Sequence, residues 1–214
     1  MIALLLVFLK AGFIGLAIAA PVGPIGILCI RKTLELGLYG ALAVGLGAAF
    51  ADSMYGLIAA AGLSTLSGFL VSHSGEIRVI GGLLLLCIAY KEEHSPIPSL
   101  GEHRAMQHKA FWRLVSEVVF LTLTNPLTII SYIGVFASIG SIGQCMLADI
   151  FATVLGVFCG ALTWWMTLGF IITHVRGHLP SSWLRWIRYI SAGIIATFGL
   201  CAIYSGLMAM FYVE

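Results

Sequence analysis

Residues 2–30 read IALLLVFLKAGFIGLAIAAPVGPIGILCI. The stretch carries a single charge, Lys10, and exceeds the roughly 20 apolar residues that take a helix across a bilayer. It is not one unbroken helix, because Pro21 and Pro24 each lack a backbone N–H and disturb the carbonyl four residues earlier. The polar backbone released there sits at membrane depth, where only protein or a water-lined cavity satisfies it. Residues 2–30 therefore read as an interrupted membrane span, and that reading sets the class of the whole chain.

The composition agrees. Of 214 residues, 60% are apolar and 9% charged, against about 25% charged in soluble domains, too few to coat a water-exposed surface. Breaks divide the remainder into further apolar segments at 38–63, 77–90, 114–139, 146–173 and 187–212. The expectation is an all-α integral membrane protein with six transmembrane helices in a single domain, 1–214. The third span is short, with residues 68–71 as a candidate re-entrant or interfacial turn before it.

Loop charges orient the spans by the excess of Lys and Arg on the cytoplasmic side. Arg31 and Lys32 are expected in the loop after the first span. Lys91, Arg104, Lys109 and Arg113 follow the third, and Arg176, Arg185 and Arg188 follow the fifth. The opposite side has Arg78, with Lys10 inside the first span. Both termini are thus expected outside. A net charge of +2 without a basic run gives no footing for nucleic acid. The apolar N-terminus lacks the basic region of a cleaved signal peptide. Five cysteines, an odd number without a CxxC pair, read as small apolar core residues. In the loop at 91–113, His94, His103 and His108 stand with Glu92, Glu93 and Glu102. Their spacing fits no compact metal site, and Pro96 and Pro98 suit an extended, solvated linker. No metal and no cofactor are expected.

Three segments recur in order. Gly23-Pro24 aligns with Asn125-Pro126, the stretch Gly47 to Ala51 with Gly156 to Gly160, and Ile77 to Gly82 with Ile187 to Ala192. The chain then divides into repeat one (about 1–92), a linker (about 93–112) and repeat two (about 113–214). Because each repeat holds three spans, the second copy inserts upside down. Inverted repeats with broken helices at matched positions are the architecture of secondary transporters.

Within this frame, Asp52 stands out. An ionised Asp at a helix centre costs roughly 2.5 to 3.5 kcal/mol on insertion scales, so it should face the bundle interior, a cavity or a partner. Ala48, Asp52, Tyr55 and Gly56 share a helix face, which brings a carboxylate and a phenol together beside small residues. Pro21, Gly23 and Pro24 in the first span, and Asn125 and Pro126 in the fourth, mark the two breaks, with Thr122 and Thr124 offering hydroxyls nearby. Trp164 aligns with Tyr55 in the repeat and is a candidate for the cavity wall, with core packing as the other reading. Gly45, Ala49 and Ser53 form a small-residue stripe suited to helix contact. Lys10 and Glu117 read as anchors, the latter within i, i+4 reach of Arg113, and Asp149 as an outer-surface residue.

These residues resemble the LysE/RhtB translocators. That family carries Pro-Gly-Pro in its first helix, here Pro21-Val22-Gly23-Pro24, and Gly-x-x-x-[Gly/Ala]-Asp-x-x-Tyr in its second, here Gly47 to Tyr55. Its fourth has Asn-Pro, here Asn125-Pro126, and its fifth Gly-x-Phe-x-Gly-x-x-x-Trp-Trp, here Gly156 to Trp165. The chain departs from the pattern at Val22, at Ile25 where Asn is usual, and at Leu127 where a basic residue is frequent. The resemblance implies a bacterial cytoplasmic-membrane exporter of amino acids or related small metabolites, not an enzyme. It implies that Asp52 is the functional carboxylate and that the proline breaks frame the translocation site. Proton antiport is the expected coupling, and a homodimer is left open. The alternative is a cation-export permease of the same superfamily, with Asp52 and the loop histidines as ligands.

Overall fold

The computed structural model describes residues 2–21, 23–61, 72–94, 108–125, 128, 131–132, 147–176 and 181–211. They form seven helices: α1 (Ile2–Ala19), α2 (Pro24–Leu36), α3 (Leu38–Ala60), α4 (Ser74–Glu93), α5 (His108–Thr124), α6 (Leu147–Arg176) and α7 (Ser181–Phe211). No strand occurs among the described residues. Four of the helices, α1, α3, α6 and α7, are long and apolar enough to cross a membrane. The candidate turn at 68–71, the linker residues 95–107 with His103, and Pro126 lie outside the described residues.

Helix ends fall where backbone chemistry puts them. α1 stops at Ala19, ahead of Pro21, and α2 starts on Pro24, a first-turn position where the missing N–H costs nothing. α2 then continues to Leu36, which corrects one expectation: Arg31 and Lys32 are helical rather than in a loop. Glu35 draws them in. Its carboxylate accepts from Arg31 Nε and from Lys32 Nζ, each at 2.8 Å, and Arg31 is only 3% exposed. Gly37 ends the helix with φ 66°, donating its N–H to the Thr33 carbonyl at 2.8 Å. That conformation costs glycine little, and α3 begins at the next residue. The corner is so tight that a Cβ on Gly40 would collide with the Lys32 carbonyl.

Burial alone would raise the Glu35 carboxyl, but the charges and hydrogen bonds of Lys32 and Arg31 outweigh it and hold the group below its usual 4.5. A depressed carboxyl contributes stability above its unfolded pKa and loses it as pH falls through the lower folded value. Glu35→Gln leaves a buried guanidinium short of its carboxylate. The expected cost is about 3 kcal/mol, read as a lower melting temperature in detergent at pH 7 that converges on wild type in acid. Equal melting temperatures at pH 7 would rule this out.

Glycine lets the helices close on one another. A Cβ on Gly160 of α6 would overlap the Gly12 carbonyl of α1, and Gly156 meets the Phe8 carbonyl in the same way. Between α4 and α7, added Cβ atoms on Gly82 and Gly206 would lie 2.6 Å from the carbonyls of Gly199 and Gly75. Close backbone approach of this kind raises dispersion contact where lipid supplies no hydrophobic drive. The contacts also give directions. Gly45 against Trp165, Gly56 against Val157 and Gly169 against Ala41 run α3 and α6 antiparallel, whereas Gly47 against Val115 and Tyr55 against Leu123 run α3 and α5 parallel.

The packed centre is built from small residues of α3, among them Ala41, Val44 and Ala48, with Leu28, Val118, Leu121 and Ala161 around them. Large apolar side chains such as Leu5, Phe13, Phe151, Phe170 and Leu200 point outward, the surface a bilayer requires. The cysteines are corrected accordingly. Of the four described, only Cys29 is buried, while Cys87, Cys159 and Cys201 are exposed. A lipid-facing position is as apolar as the core, so residue type alone does not separate the two. Glu117 joins α5 to α4, accepting from Arg113 Nε at 3.1 Å and from Lys91 Nζ at 2.9 Å.

Candidate functional site

The α1–α2 break, the middle of α3, the end of α5 and the inner face of α6 meet at a cavity of about 30 Å³. Pro21, Gly23, Ile25, Gly26, Ala48, Asp52, Thr122, Asn125, Thr128 and Trp165 are among its lining residues. That volume admits about one water molecule. A larger solute requires the walls to part.

Asp52 is the ionisable group in this wall and is 3% exposed. No hydrogen bond or ion pair reaches its carboxylate from the described residues. A carboxylate so enclosed is costly to keep charged without a counter-charge. A proton or a cationic ligand supplies one.

The two breaks meet their backbone requirements differently. At the end of α5, the Thr122 carbonyl accepts from the Asn125 N–H at 3.2 Å, and the next residue in the sequence, Pro126, has no N–H. The next carbonyl, Leu123, accepts the Tyr55 hydroxyl at 2.7 Å. Tyr55 thus braces the broken end of α5, and its ring stacks on Tyr132 with centroids 5.0 Å apart. The Thr122 hydroxyl is spent on the Val118 carbonyl at 2.9 Å. At the other break, α2 presents its N-terminus to the cavity. The first N–H groups of a helix lack intrahelical acceptors. Ile25 and Gly26 of that first turn line the cavity, and Gly23 has no side chain to cap the turn. The positive end of the helix dipole adds to their attraction for an anion.

Among the residues singled out from the sequence, Asp52, Pro21, Gly23 and Asn125 line the cavity. Pro24 is buried at the first position of α2, behind the wall. Tyr55 is buried one turn from Asp52, in the contact with α5. Trp164 is half-buried and packs against the apolar core, while its neighbour Trp165 lines the cavity. The repeat alignment carries sequence order but not helical rotation. Trp165 shares a face with Val157 and Ala161 at four-residue spacing, and all three are buried, but the spacing alone does not say which face turns inward. Thr128 and Tyr132 follow Pro126 in the sequence, and a proline removes the continuous helical register by which the preceding residues would have placed them.

The sequence model of the LysE type translocators matches residues 16–206. The chain is also similar to the protein named "Putative amino acid efflux protein YcgF" of Bacillus subtilis (strain 168), 27% identical over 205 residues, which cover 94% of this chain and 97% of that one. No solved structure matches. Since the matched region covers most of the chain and every residue lining the cavity, the chain belongs to the LysE type translocator family, and is a multi-pass membrane transport protein.

Proposed function

We propose that this protein is a secondary transporter that exports amino acids or related small metabolites across the bacterial cytoplasmic membrane in exchange for protons. The observation that carries the reading is Asp52: a lone, buried carboxylate facing a cavity where two helices are broken. A proton and a substrate ammonium group compete for it, and competition for one site is the logic of antiport. The N-terminus of α2 offers Ile25 and Gly26 N–H groups to the substrate's carboxylate. One net charge moved across 100 mV is worth about 2.3 kcal/mol, enough to bias exchange. The relative's name, an amino acid efflux protein, points the same way.

The helix contacts support two inverted repeats of three spans each. Exchanging the halves maps α1 onto α5, α3 onto α6, and α4 onto α7. Under that exchange the α1·α6 packing becomes α5·α3, and α3·α6 and α4·α7 map onto themselves; all of these pairs occur. The aligned glycines behave alike. Gly47 packs on Val115 and Val118, and Gly156 packs on Phe8 and Ala11; 115 − 8 and 118 − 11 both give 107. In the orientation set by the loop charges, both termini lie outside and the Lys91, Glu117 and Arg113 cluster faces the cytoplasm.

The test is counterflow of a panel of radiolabelled amino acids in proteoliposomes with an imposed pH gradient. At least one is expected to accumulate against its own gradient and to stop when a protonophore is added. Movement of divalent cations with no amino acid moving would overturn the proposal in favour of a cation-export permease.

A further inference from the structure

We propose that the indole N–H of Trp165 is the side-chain donor that reads the carboxylate of the transported amino acid. The inference rests on the amino-acid exchange described above and names a residue for one half of the substrate. Trp165 is 4% exposed, lines the cavity, and has its Nε1 buried with no acceptor among the described residues. Buried indole N–H groups ordinarily find a partner. An unspent donor on a residue of the wall that also holds Asp52 calls for an acceptor that arrives with the ligand.

Among the neighbouring polar groups, Thr122 donates to Val118, and Asn125 and Ser131 are both engaged. The Thr128 hydroxyl also lines the wall and can assist, but the indole N–H is the fully buried donor left without an acceptor among the described residues. The root of the side chain is also held close to α3. Gly45 lies seven residues before Asp52 on the same face of α3, and a Cβ there would come within 2.8 Å of Trp165 Cβ. Asp52 gives the cavity an acceptor, and Trp165 and the α2 N-terminus give it donors. An α-amino acid carries an ammonium and a carboxylate on one carbon and matches that division. An amine without the carboxylate, or an amino amide, matches only half.

The experiment measures binding to purified protein from ligand-induced shifts in melting temperature, using L-alanine with L-alaninamide and L-threonine with L-threoninamide. Wild type is expected to prefer at least one free acid over its amide by about tenfold or more, the range of a hydrogen bond to a charged group. In Trp165→Phe, and in protein carrying benzothienylalanine at 165, that preference should fall to about threefold or less. The benzothienyl ring keeps the shape and loses only the N–H, so it carries the test if the Phe variant does not fold. An unchanged preference in either folded variant overturns the role of Trp165 and leaves the exchange reading standing. Equal binding of acid and amide by wild type also overturns it. If wild type binds neither acids nor amides, both readings fall together.

Discussion

Asp52→Asn is expected to lower amino-acid exchange in proteoliposomes by about 100-fold or more, with the protein still folded. Asparagine keeps the size and shape of the side chain but has no negative charge for a substrate ammonium and no proton to give up. Losing a hydrogen bond to a charged group removes roughly 1.5 to 3 kcal/mol of binding, which already lowers affinity about tenfold or more. Loss of the proton-carrying step then stops the cycle itself, so raising substrate concentration should not restore it. Folding should persist, because a neutral amide is cheaper to bury in the membrane than an ionised carboxylate. Wild-type exchange should vary with pH and the variant's residual rate should not. Coupled exchange at the wild-type rate in the Asn variant would remove Asp52 from the mechanism.

Gly160→Leu is expected to abolish recovery of folded, monodisperse protein. The atoms nearest a Cβ at this position are the carbonyl oxygen, carbonyl carbon and Cα of Gly12, all of them backbone. No flexible side chain stands between α6 and α1 to give way, so the two helices must separate along the contact made by Gly12, Gly15, Gly156 and Gly160. Overpacking in a core costs typically 1 to 3 kcal/mol, and here the overlap is with main chain on a contact that positions the α1–α2 break. Gly193→Ala is the matched control, since nothing lies within 4 Å of a Cβ there. It should fold normally, and gains up to about 1 kcal/mol of helix propensity. Normal yield and gel-filtration behaviour for Gly160→Leu would show that the α1–α6 contact is looser than its geometry.

What was legible in the sequence is the chemistry that acts locally. Proline's missing N–H decides where α1 ends and α2 begins without reference to anything distant, and a carboxylate in an apolar helix must turn inward whatever it meets there. Family motifs carried the identity for the same reason, being short and ordered along the chain. Less legible were features that depend on rotation and on neighbours. Arg31 counted as a loop charge until Glu35, four residues on, gave it a buried partner inside a helix. Trp164 and Trp165 differ by 100° about the helix axis, and only the positions of α1 and α3 decide which faces the cavity. The third span was expected from 77 to 90, yet α4 runs from Ser74 to Glu93. Its charged ends, Glu76 and Lys91, suit the two ends of the helix dipole.

With the proposed orientation, the aromatic residues at one end of the bundle give Asp52 a depth in the membrane's electric field. Tyr39, Tyr90, Trp112, Trp186 and Tyr189 are all exposed, at or near the helix ends that bear Lys91 and Arg113, and such side chains settle at headgroup level. Counting along α3 from Tyr39 at about 1.5 Å per residue puts Asp52 roughly 20 Å away, about two thirds of a 30 Å hydrocarbon core. In the proposed orientation, a proton arriving from outside crosses about one third of the voltage drop to reach the carboxylate, about 0.8 kcal/mol per 100 mV. The other two thirds falls between Asp52 and the cytoplasm. Voltage would then act chiefly on proton release to the cell interior, and only weakly on capture from outside.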